Sequence, residues 1–259
     1  MPLDLTRTEA RTAAMEYQTF HVTIEDILGD PGAFDHTVTD PPYSLRTQEN
    51  IRRGRQRGAQ ISAPVTLDFA PADTERRQRW ARTIARLTRR WALVFSDHEG
   101  SVEWGKALEL AGMEYIRCMP WVRTGDVVLT SQRPRKSGTP QFTGDRPATA
   151  HEVIVVAHSR RCRKRWNGGG KQGVYTHAVV PPSQRVHDNE KPVGLLEAII
   201  RDFCDPGETI FDPFCGSGAA LVAAKHLRLC AAGADMSARW AQFSRRRVLA
   251  AAAGTGIDA

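Results

Sequence analysis

The stretch of sequence that decides the fold is ETIFDPFCGSGAALVAAKHLRLCAAGADM, residues 208–236. It contains an apolar strand, a turn with Gly216 and Gly218, a helix of small residues and a second apolar strand. Glycines let the backbone turn sharply and approach a ligand, and the helix start adds N–H groups and a positive dipole end. Asp235 ends the second strand, at the position where an acid accepts ribose hydroxyls. The stretch therefore predicts a β-α-β unit that binds a nucleoside.

The glycine spacing separates this turn from two well-known phosphate-binding turns. No Gly-Lys-Ser/Thr follows, so the turn is not a P-loop. Leu221 replaces the third glycine of G-x-G-x-x-G, which makes the turn a poor dinucleotide site and disfavours a nicotinamide oxidoreductase. A glycine-rich turn that serves packing alone stays open as an alternative.

Strands alternate with helices along the rest of the chain, which predicts an α/β protein with a mostly parallel sheet. The predicted strands span 17–28, 34–43, 91–97, 113–123, 151–159, 208–215 and 229–236. The predicted helices span 72–90, capped by Asp73 or Thr74, and 101–112, 191–204, 219–227 and 237–253. Long segments without a clear period, 44–72, 124–149 and 160–189, predict loops.

The chain is basic, and its charge is clustered. Lys and Arg number 36 against 29 Asp and Glu, which gives a formal net charge of +7. Three clusters fit phosphate contacts along a nucleic acid, although each cluster taken singly would also suit a solvated surface. The residues predicted to contact DNA are Arg46, Arg52, Arg53, Arg55, Arg57, Arg133, Arg135, Lys136, Arg161, Arg163, Lys164 and Arg165.

Cysteine usage and hydropathy exclude several classes of protein. The 5 cysteines form no C-x-x-C, which argues against a zinc ribbon or a redox motif, and no metal site is predicted. No apolar run reaches the roughly 18–20 residues of a membrane span, and the N-terminus carries no signal-peptide pattern. We therefore expect a reduced, cytoplasmic protein that does not insert into a membrane.

A second motif, Asp40-Pro41-Pro42-Tyr43, ends a predicted strand, where α/β sheets bind ligands. A nucleobase amino group is a poor nucleophile because its lone pair is delocalised into the ring. The Asp40 carboxylate and the Pro41 carbonyl can accept its two N–H groups and free that lone pair, and proline fixes the backbone. Tyr43 offers a flat face on which an extruded base can stack. The plainer alternative is a proline-rich turn with an aromatic lid.

Together the two motifs resemble the S-adenosylmethionine-dependent amino-methyltransferases of DNA. D-P-P-Y resembles their catalytic motif in the form typical of adenine-N6 enzymes, and FDPFCGSG resembles their motif for the methionine and ribose of the cofactor. His187 to Pro192 is similar to their H-x-x-x-K-P element, and Trp121 and Glu152 stand where the family has W-x-K and H-E-x-I. The catalytic motif comes first, as in the circularly permuted beta group. This order implies a doubly wound, mostly parallel, seven-stranded methyltransferase sheet of Rossmann-like type.

The resemblance implies S-adenosylmethionine as the cofactor, with His187 and Lys191 at its carboxylate end. The implied cofactor-binding residues are Asp26, Asp40, His187, Lys191, Phe211, Asp212, Pro213, Phe214, Cys215, Gly216, Ser217, Gly218, Asp235 and Met236. The chain departs from the family at Ala219 and Ala220, where Thr-Thr is common, and at Asp235, where Glu is usual. Asp26 is a weak match to the acid near the cofactor adenine. These departures affect cofactor affinity rather than reaction type.

The resemblance predicts methyl transfer to N6 of adenine in double-stranded DNA by base flipping, with Asp40, Pro41, Pro42 and Tyr43 at the catalytic centre. Cytosine-N4 methylation stays open. An RNA or protein-amide methyltransferase would usually show N-P-P-Y and an earlier cofactor motif, and a non-catalytic DNA-binding protein would be expected to lose Asp40. The expected partners are DNA, a second copy of the chain, and either the endonuclease of a restriction–modification system or none.

The motifs also predict a division of the chain. Its parts are a lead-in (1–16), a catalytic half (17–123) with a mobile loop (44–72), target-recognition loops with one sheet strand at 151–159 (124–186), a cofactor-binding half (187–252) and a tail (253–259).

Overall fold

A computed structural model describes residues 2–44, 72–124, 150–181, 183–186 and 189–252. Several predictions from the sequence lie outside these ranges. They concern His187, the tail 253–259, nearly all of the Arg-rich loop 44–72, and the basic residues 133–136 of the recognition region.

The described residues form ten strands and six α-helices. The strands are β1 (Leu3–Leu5), β2 (Thr19–His21), β3 (Ile27–Gly29), β4 (His36–Thr39), β5 (Trp91–Ser96), β6 (Met113–Thr124), β7 (His151–Ser159), β8 (Tyr175–Ala178), β9 (Thr209–Asp212) and β10 (Cys230–Asp235). The helices are α1 (Arg7–Met15), α2 (Thr74–Leu87), α3 (His98–Leu110), α4 (Val193–Phe203), α5 (Ala219–His226) and α6 (Ala238–Ala250). A short 3-10 helix spans Ile24–Asp26.

Eight of the strands form one sheet in the order β2-β10-β9-β4-β5-β7-β6-β8. Only β7 runs against its neighbours, β5 and β6, and the other described pairings in this sheet are parallel. The prediction of an α/β fold with a mostly parallel sheet is thereby confirmed.

The large sheet has eight strands instead of the predicted seven, because the segment 124–186 contributes two strands, β7 and β8, and not one. β8 lies in the segment expected to be a loop and pairs in parallel with the end of β6, Tyr175 opposite Trp121. Its four residues, YTHA, show no apolar alternation. The buried Tyr175 hydroxyl donates to Asp202 on α4 over 2.7 Å, so tertiary contacts stabilise this strand.

Helix caps explain two other differences at element ends. The Asp97 carboxylate accepts the Gly100 N–H over 2.7 Å, so α3 begins three residues earlier than predicted. In the N-terminal lead-in, Thr6 and Glu9 form a reciprocal capping box that starts α1. The Asp73 cap predicted for α2 is confirmed by its 2.7 Å bond from the Arg76 N–H.

Helices cover both faces of the sheet, as expected of a doubly wound fold. On β5, Leu93 and Phe95 pack with α4 and α5, whereas Ala92 and Val94 pack with α2 and α3. A strand that is buried on both faces is typical of a parallel sheet. Among the described helices, none is long and apolar enough to cross a membrane.

Candidate active site at the carboxyl edge of the sheet

The carboxyl ends of the parallel strands meet at one edge of the sheet, which we call the carboxyl edge. Asp40 follows β4 there, and Asp235 ends β10. Because β7 runs the opposite way, with Val153 paired to Ser96 at the end of β5, its first residues reach the same edge. Glu152 of β7 therefore lies beside Asp40, more than a hundred residues distant in sequence.

Four side chains at this edge form one connected cluster. The Lys191 ammonium donates to Asp40 Oδ2 and lies 3.3 Å from Glu152 Oε2. The Tyr43 hydroxyl donates to the same Glu152 oxygen over 2.6 Å. Asp40 Oδ1 is buried and has no hydrogen-bond partner among the described residues. The catalytic motif thus presents one buried carboxylate oxygen that no described group satisfies.

The charges in this cluster follow from burial and from the close pairing. Burial raises the pKa of Asp40, and the Lys191 ammonium opposes that rise. Burial disfavours the charged form of Lys191, but Asp40 and Glu152 raise its pKa above the ordinary value. For Glu152, burial is outweighed by Lys191, Tyr43 and Arg123, which together lower its pKa. Burial and the neighbouring carboxylates raise the pKa of Tyr43 well above 10, so its hydroxyl stays a donor at neutral pH.

Asp212, at the end of β9, connects the two sequence motifs. Its Oδ1 accepts the Thr39 hydroxyl over 2.6 Å and the Phe214 N–H over 3.1 Å. Thr39 directly precedes Asp40, so this bond ties the glycine turn to the catalytic motif. Burial raises the pKa of Asp212 to about 7, although both donors oppose the rise.

The two glycines of the turn have different surroundings. Gly216 has φ +47°, and among the described residues a Cβ built on it would meet only the Phe214 carbonyl, at 4.0 Å, so no other described atom crowds this side of the turn. Gly218 has φ +78°, and its Cβ would lie 2.7 Å from Ser244 Cβ on α6. The Asp235 carboxylate closes the turn by accepting the Gly216 N–H over 3.0 Å and the Ser237 N–H over 2.8 Å.

A carboxylate beside a glycine turn at the ends of parallel strands suits a cofactor that contains a nucleoside. Comparison with known protein families identifies the family of this chain. The family model described as DNA methylase, of the N6/N4 type, matches residues 34–245. The chain belongs to the N6/N4 DNA methylase family. S-adenosylmethionine is the cofactor of this family.

Relatives of this methylase are distant in sequence and similar in fold. The type II methyltransferase M2.DpnII of Streptococcus pneumoniae is 25% identical over 244 residues, covering 84% of this chain and 83% of the relative. M2.LlaDCHI of Lactococcus lactis subsp. cremoris is 25% identical over 235 residues, with the same two coverages.

Solved structures support the fold. The M1.HpyAVI–SAM complex superposes with a TM-score of 0.59 at 17% identity, covering 89% of this chain and 98% of that one. The cytosine-N4-specific PvuII DNA methyltransferase gives 0.61 at 11% identity, covering 88% and 85%. At these identities the likeness concerns the class of fold alone.

The residues of the methylase fit S-adenosylmethionine. Among the described residues, the side of the turn at Gly216 leaves room for a close approach. Asp235 ends β10 beside that turn, where an acid accepts ribose hydroxyls. The Lys191 ammonium lies between Asp40 and Glu152. Its contact with the carboxylate of the cofactor stays a prediction.

Other predicted cofactor residues lie around the turn in varied environments. Phe211 stacks on Phe34 at 4.4 Å between ring centroids, so its side chain belongs to the core. Cys215 is buried, and burial raises the pKa of its thiol well above the ordinary value. Met236 is exposed directly after β10. Asp26 lies in the 3-10 helix and accepts the Thr23 hydroxyl over 2.8 Å.

The basic residues after β7 do not lie at the carboxyl edge in the structure. They are Arg161, Arg163, Lys164 and Arg165. β7 ends beside the start of β5, with His158 opposite Trp91, so this cluster lies at the other edge, about 20 Å away for a six-residue strand. Arg161 donates to the carbonyls of Ala85 and Thr88, and Arg165 pairs with Asp205 over 2.7 Å. A cavity of about 460 Å³ is lined by Arg163, Lys164 and Arg165 together with Arg89, Arg90 and Cys162.

The sequence analysis placed Glu152 at the family's H-E-x-I element but assigned it no role in the site. A glutamate at the start of a strand whose next seven residues are all buried is the signal that could have singled it out. Nothing local in the sequence pointed to Thr39 or Arg247. Arg247 on α6 bridges Glu190 over 2.6 Å and the Ser217 carbonyl over 3.2 Å, which joins the segment before Lys191 to the turn.

Proposed function

We propose that this methylase transfers the methyl group of S-adenosylmethionine to the exocyclic N6 of adenine in double-stranded DNA. The observation that carries the proposal is the buried, unsatisfied Oδ1 of Asp40 at the carboxyl edge, next to the Tyr43 ring. Such an acceptor suits an amino group that enters from outside the protein. The D-P-P-Y form of the motif supports adenine over cytosine.

The side chains act on the amino group of the extruded base. Tyr43 supplies the face on which the base stacks. Asp40 Oδ1 and the Pro41 carbonyl accept the two N–H groups, which frees the nitrogen lone pair for in-line attack. When bound, S-adenosylmethionine supplies a methyl group made electrophilic by its sulfonium. The Asp40 carboxylate also faces the positive charge that develops on nitrogen as the new bond forms.

The test is transfer of a labelled methyl group to DNA, followed by digestion to nucleosides and separation of N6-methyladenine from N4-methylcytosine. We expect label in adenine, and none with Asp40→Ala. Asp4→Ala, which removes an exposed aspartate on β1, is the matched control and should keep full activity. Label in cytosine would favour the N4 alternative. Label in RNA or protein alone would refute the proposal.

We also propose that DNA contacts come from segments attached to the carboxyl edge. Ser44 and Ala72 flank one of them, and the Ala72 N–H donates to the Tyr43 carbonyl over 3.2 Å. Thr124 and Ala150 flank the other, because β6 ends and β7 begins at this edge. The residues of these segments that are predicted to contact DNA are Arg46, Arg52, Arg53, Arg55, Arg57, Arg133, Arg135 and Lys136.

A salt series separates these contacts from surface charge. Neutralising Arg52, Arg53, Arg55 and Arg57 together should weaken DNA binding and flatten the dependence of log affinity on log salt by roughly 0.9 per lost phosphate contact. Neutralising Arg163 and Arg165 at the opposite edge is the control and should leave that slope unchanged. An unchanged slope in the first variant would exclude phosphate contact by those arginines.

The biological setting stays a proposal. Both curated relatives are named type II methyltransferases, which favours a role in restriction–modification. A cognate endonuclease, a homodimer that spans a palindromic site, and a cytoplasmic location are the corresponding predictions.

A further inference from the structure

Glu152 lies in the active site without a part in the chemistry proposed above. It is mostly buried at the start of β7, with 17% of its side chain exposed, and three groups surround it. The Tyr43 hydroxyl is at 2.6 Å, the Lys191 ammonium at 3.3 Å and the Arg123 guanidinium at 3.7 Å. A buried carboxylate with three such partners is unlike a solvated surface acid.

We infer that Glu152 is a positioning residue for methyl transfer, which fixes the Tyr43 ring and shares Lys191 with Asp40 so that Asp40 Oδ1 stays free for the target amine. This inference rests on the proposed function. It concerns how the free enzyme prepares the two groups that meet the base.

The first part of the inference concerns the Tyr43 ring. A tyrosine ring turns about two side-chain bonds. A hydrogen bond at its hydroxyl fixes the direction of the side chain, and a contact on the ring face restricts the ring plane. The hydroxyl bond to Glu152 provides that anchor. The Lys191 ammonium, 5.3 Å from the ring centroid, adds a cation–π contact. The stacking face is therefore set before a base arrives, which spares the ordering cost at binding.

The second part concerns Lys191, whose ammonium can reach both carboxylates. Because the Lys191 ammonium also contacts Glu152, it donates only to Oδ2 of Asp40. Oδ1 is left without a partner among the described residues. Without the Glu152 charge, Lys191 would be drawn wholly to Asp40 and would compete with the amino group for its oxygens.

The charged groups around Asp40 give this arrangement a pH signature. They are Lys191 before α4, Glu152 on β7 and Asp212 on β9, with Arg123 on β6 facing Glu152. Removing the Glu152 charge should lower the pKa of Asp40, and removing the Lys191 charge should raise it. Transfer requires ionised Asp40, so the acid limb of the rate should move in opposite directions in the two variants.

The experiment compares Glu152→Gln and Lys191→Met with the wild type for kcat, for KM of S-adenosylmethionine and DNA, and over a pH series. We expect Glu152→Gln to lower kcat roughly 10- to 100-fold, as small misplacements of reacting groups do, with KM of S-adenosylmethionine unchanged. Its acid limb should shift to lower pH, and that of Lys191→Met to higher pH. Glu114→Gln, which removes an acid paired with Lys164 at the other edge, should change nothing.

The outcomes separate this inference from the proposed function. Failure of the wild type to methylate DNA would overturn both. Methylation by the wild type, with full kcat and an unmoved acid limb in Glu152→Gln, would overturn the inference alone. If Glu152→Gln does not fold, Glu152→Asp and Tyr43→Phe both break the hydroxyl anchor while a carboxylate remains. Equal losses of kcat in those two variants support the inference, and wild-type kcat in either overturns it.

Discussion

The two glycines of the FDPFCGSG turn should respond differently to the same added methyl group. At Gly218, an alanine Cβ would lie 2.7 Å from Ser244 Cβ and 3.0 Å from Ser244 Cα. Ser244 is fully buried on α6 and cannot retreat without moving that helix. A left-handed residue costs about 1–2 kcal/mol and overpacking about 1–3 kcal/mol. Gly218→Ala should therefore lose about 3 kcal/mol of stability, or roughly 6–12 °C in Tm for a chain of this size.

Gly216→Ala carries the same left-handed penalty of about 1–2 kcal/mol. It makes no clash with the described residues, because the nearest of their atoms to its Cβ would be the Phe214 carbonyl oxygen, 4.0 Å away. Its methyl group would point into the open side of the turn, where we place the cofactor. We expect a small change in Tm and a clear loss of S-adenosylmethionine affinity by calorimetry. In Gly218→Ala, Ser244→Gly should recover part of the lost Tm. A wild-type Tm in Gly218→Ala, or wild-type affinity in Gly216→Ala, would refute the reasoning.

Four further variants test the Tyr43 side chain and two buried titratable groups. Tyr43→Phe should lose roughly 1.5–3 kcal/mol of transition-state stabilisation, because it removes the hydrogen bond to Glu152. Tyr43→Ala removes the stacking ring as well and should lose roughly 1–3 kcal/mol more. Wild-type kcat/KM in Tyr43→Phe would exclude a role for the hydroxyl. Burial raises the pKa of Asp212 to about 7 in the folded protein, so the folded state holds a proton that the unfolded state loses above about pH 4. The free energy of unfolding should therefore fall as pH rises from about 4 to 7. Asp212→Asn should flatten that fall, as measured by urea titrations at several pH values. Burial lowers the pKa of His158 to about 4, so stability should also fall, by about 3 kcal/mol, as pH drops from 6.5 to 4. His158→Phe, which keeps a ring against Trp91, should remove this acid-side loss, and an unchanged pH dependence would contradict the assignment.

Sequence reasoning succeeded where local chemistry decides structure. Strong periodicity and a strand–glycine–helix succession predicted β9, α5 and β10, and the D-P-P-Y motif predicted that Asp40 would end a strand at the carboxyl edge. Asp73 could be named as a cap because a side-chain oxygen before a helix acts on its own first turn. In each of these cases the signal and its effect lie within a few residues of each other.

Sequence reasoning failed where distant segments decide structure. β8 exists because β6 offers an edge and Asp202 accepts the Tyr175 hydroxyl, and neither fact is visible in YTHA. Glu152 gained its partners from β4 and from the segment before α4. At Gly218, the described residue nearest to the missing Cβ is Ser244 on α6, 26 positions away in the chain, and no local pattern shows this neighbour. A local sequence pattern can indicate which type of residue a position requires, but it does not show which distant residue contacts that position.

The direction of a single strand decides which basic residues can serve the active site. The sequence alone treats the clusters before and after β7 as equivalent, because all carry arginine in loops. With β7 antiparallel to β5, the segment before it begins and ends at the carboxyl edge, while the segment after it starts about 20 Å away. At that far edge, buried Arg90 pairs with Glu208. Burial alone would raise the pKa of Glu208, but hydrogen bonds from His36, from the backbone and from Arg90 lower it to about 2. Arg90 thereby stabilises the amino ends of the strands. We expect a duplex that presents its base to Asp40 to contact the segments that are attached to the carboxyl edge, because those segments start and end beside Asp40.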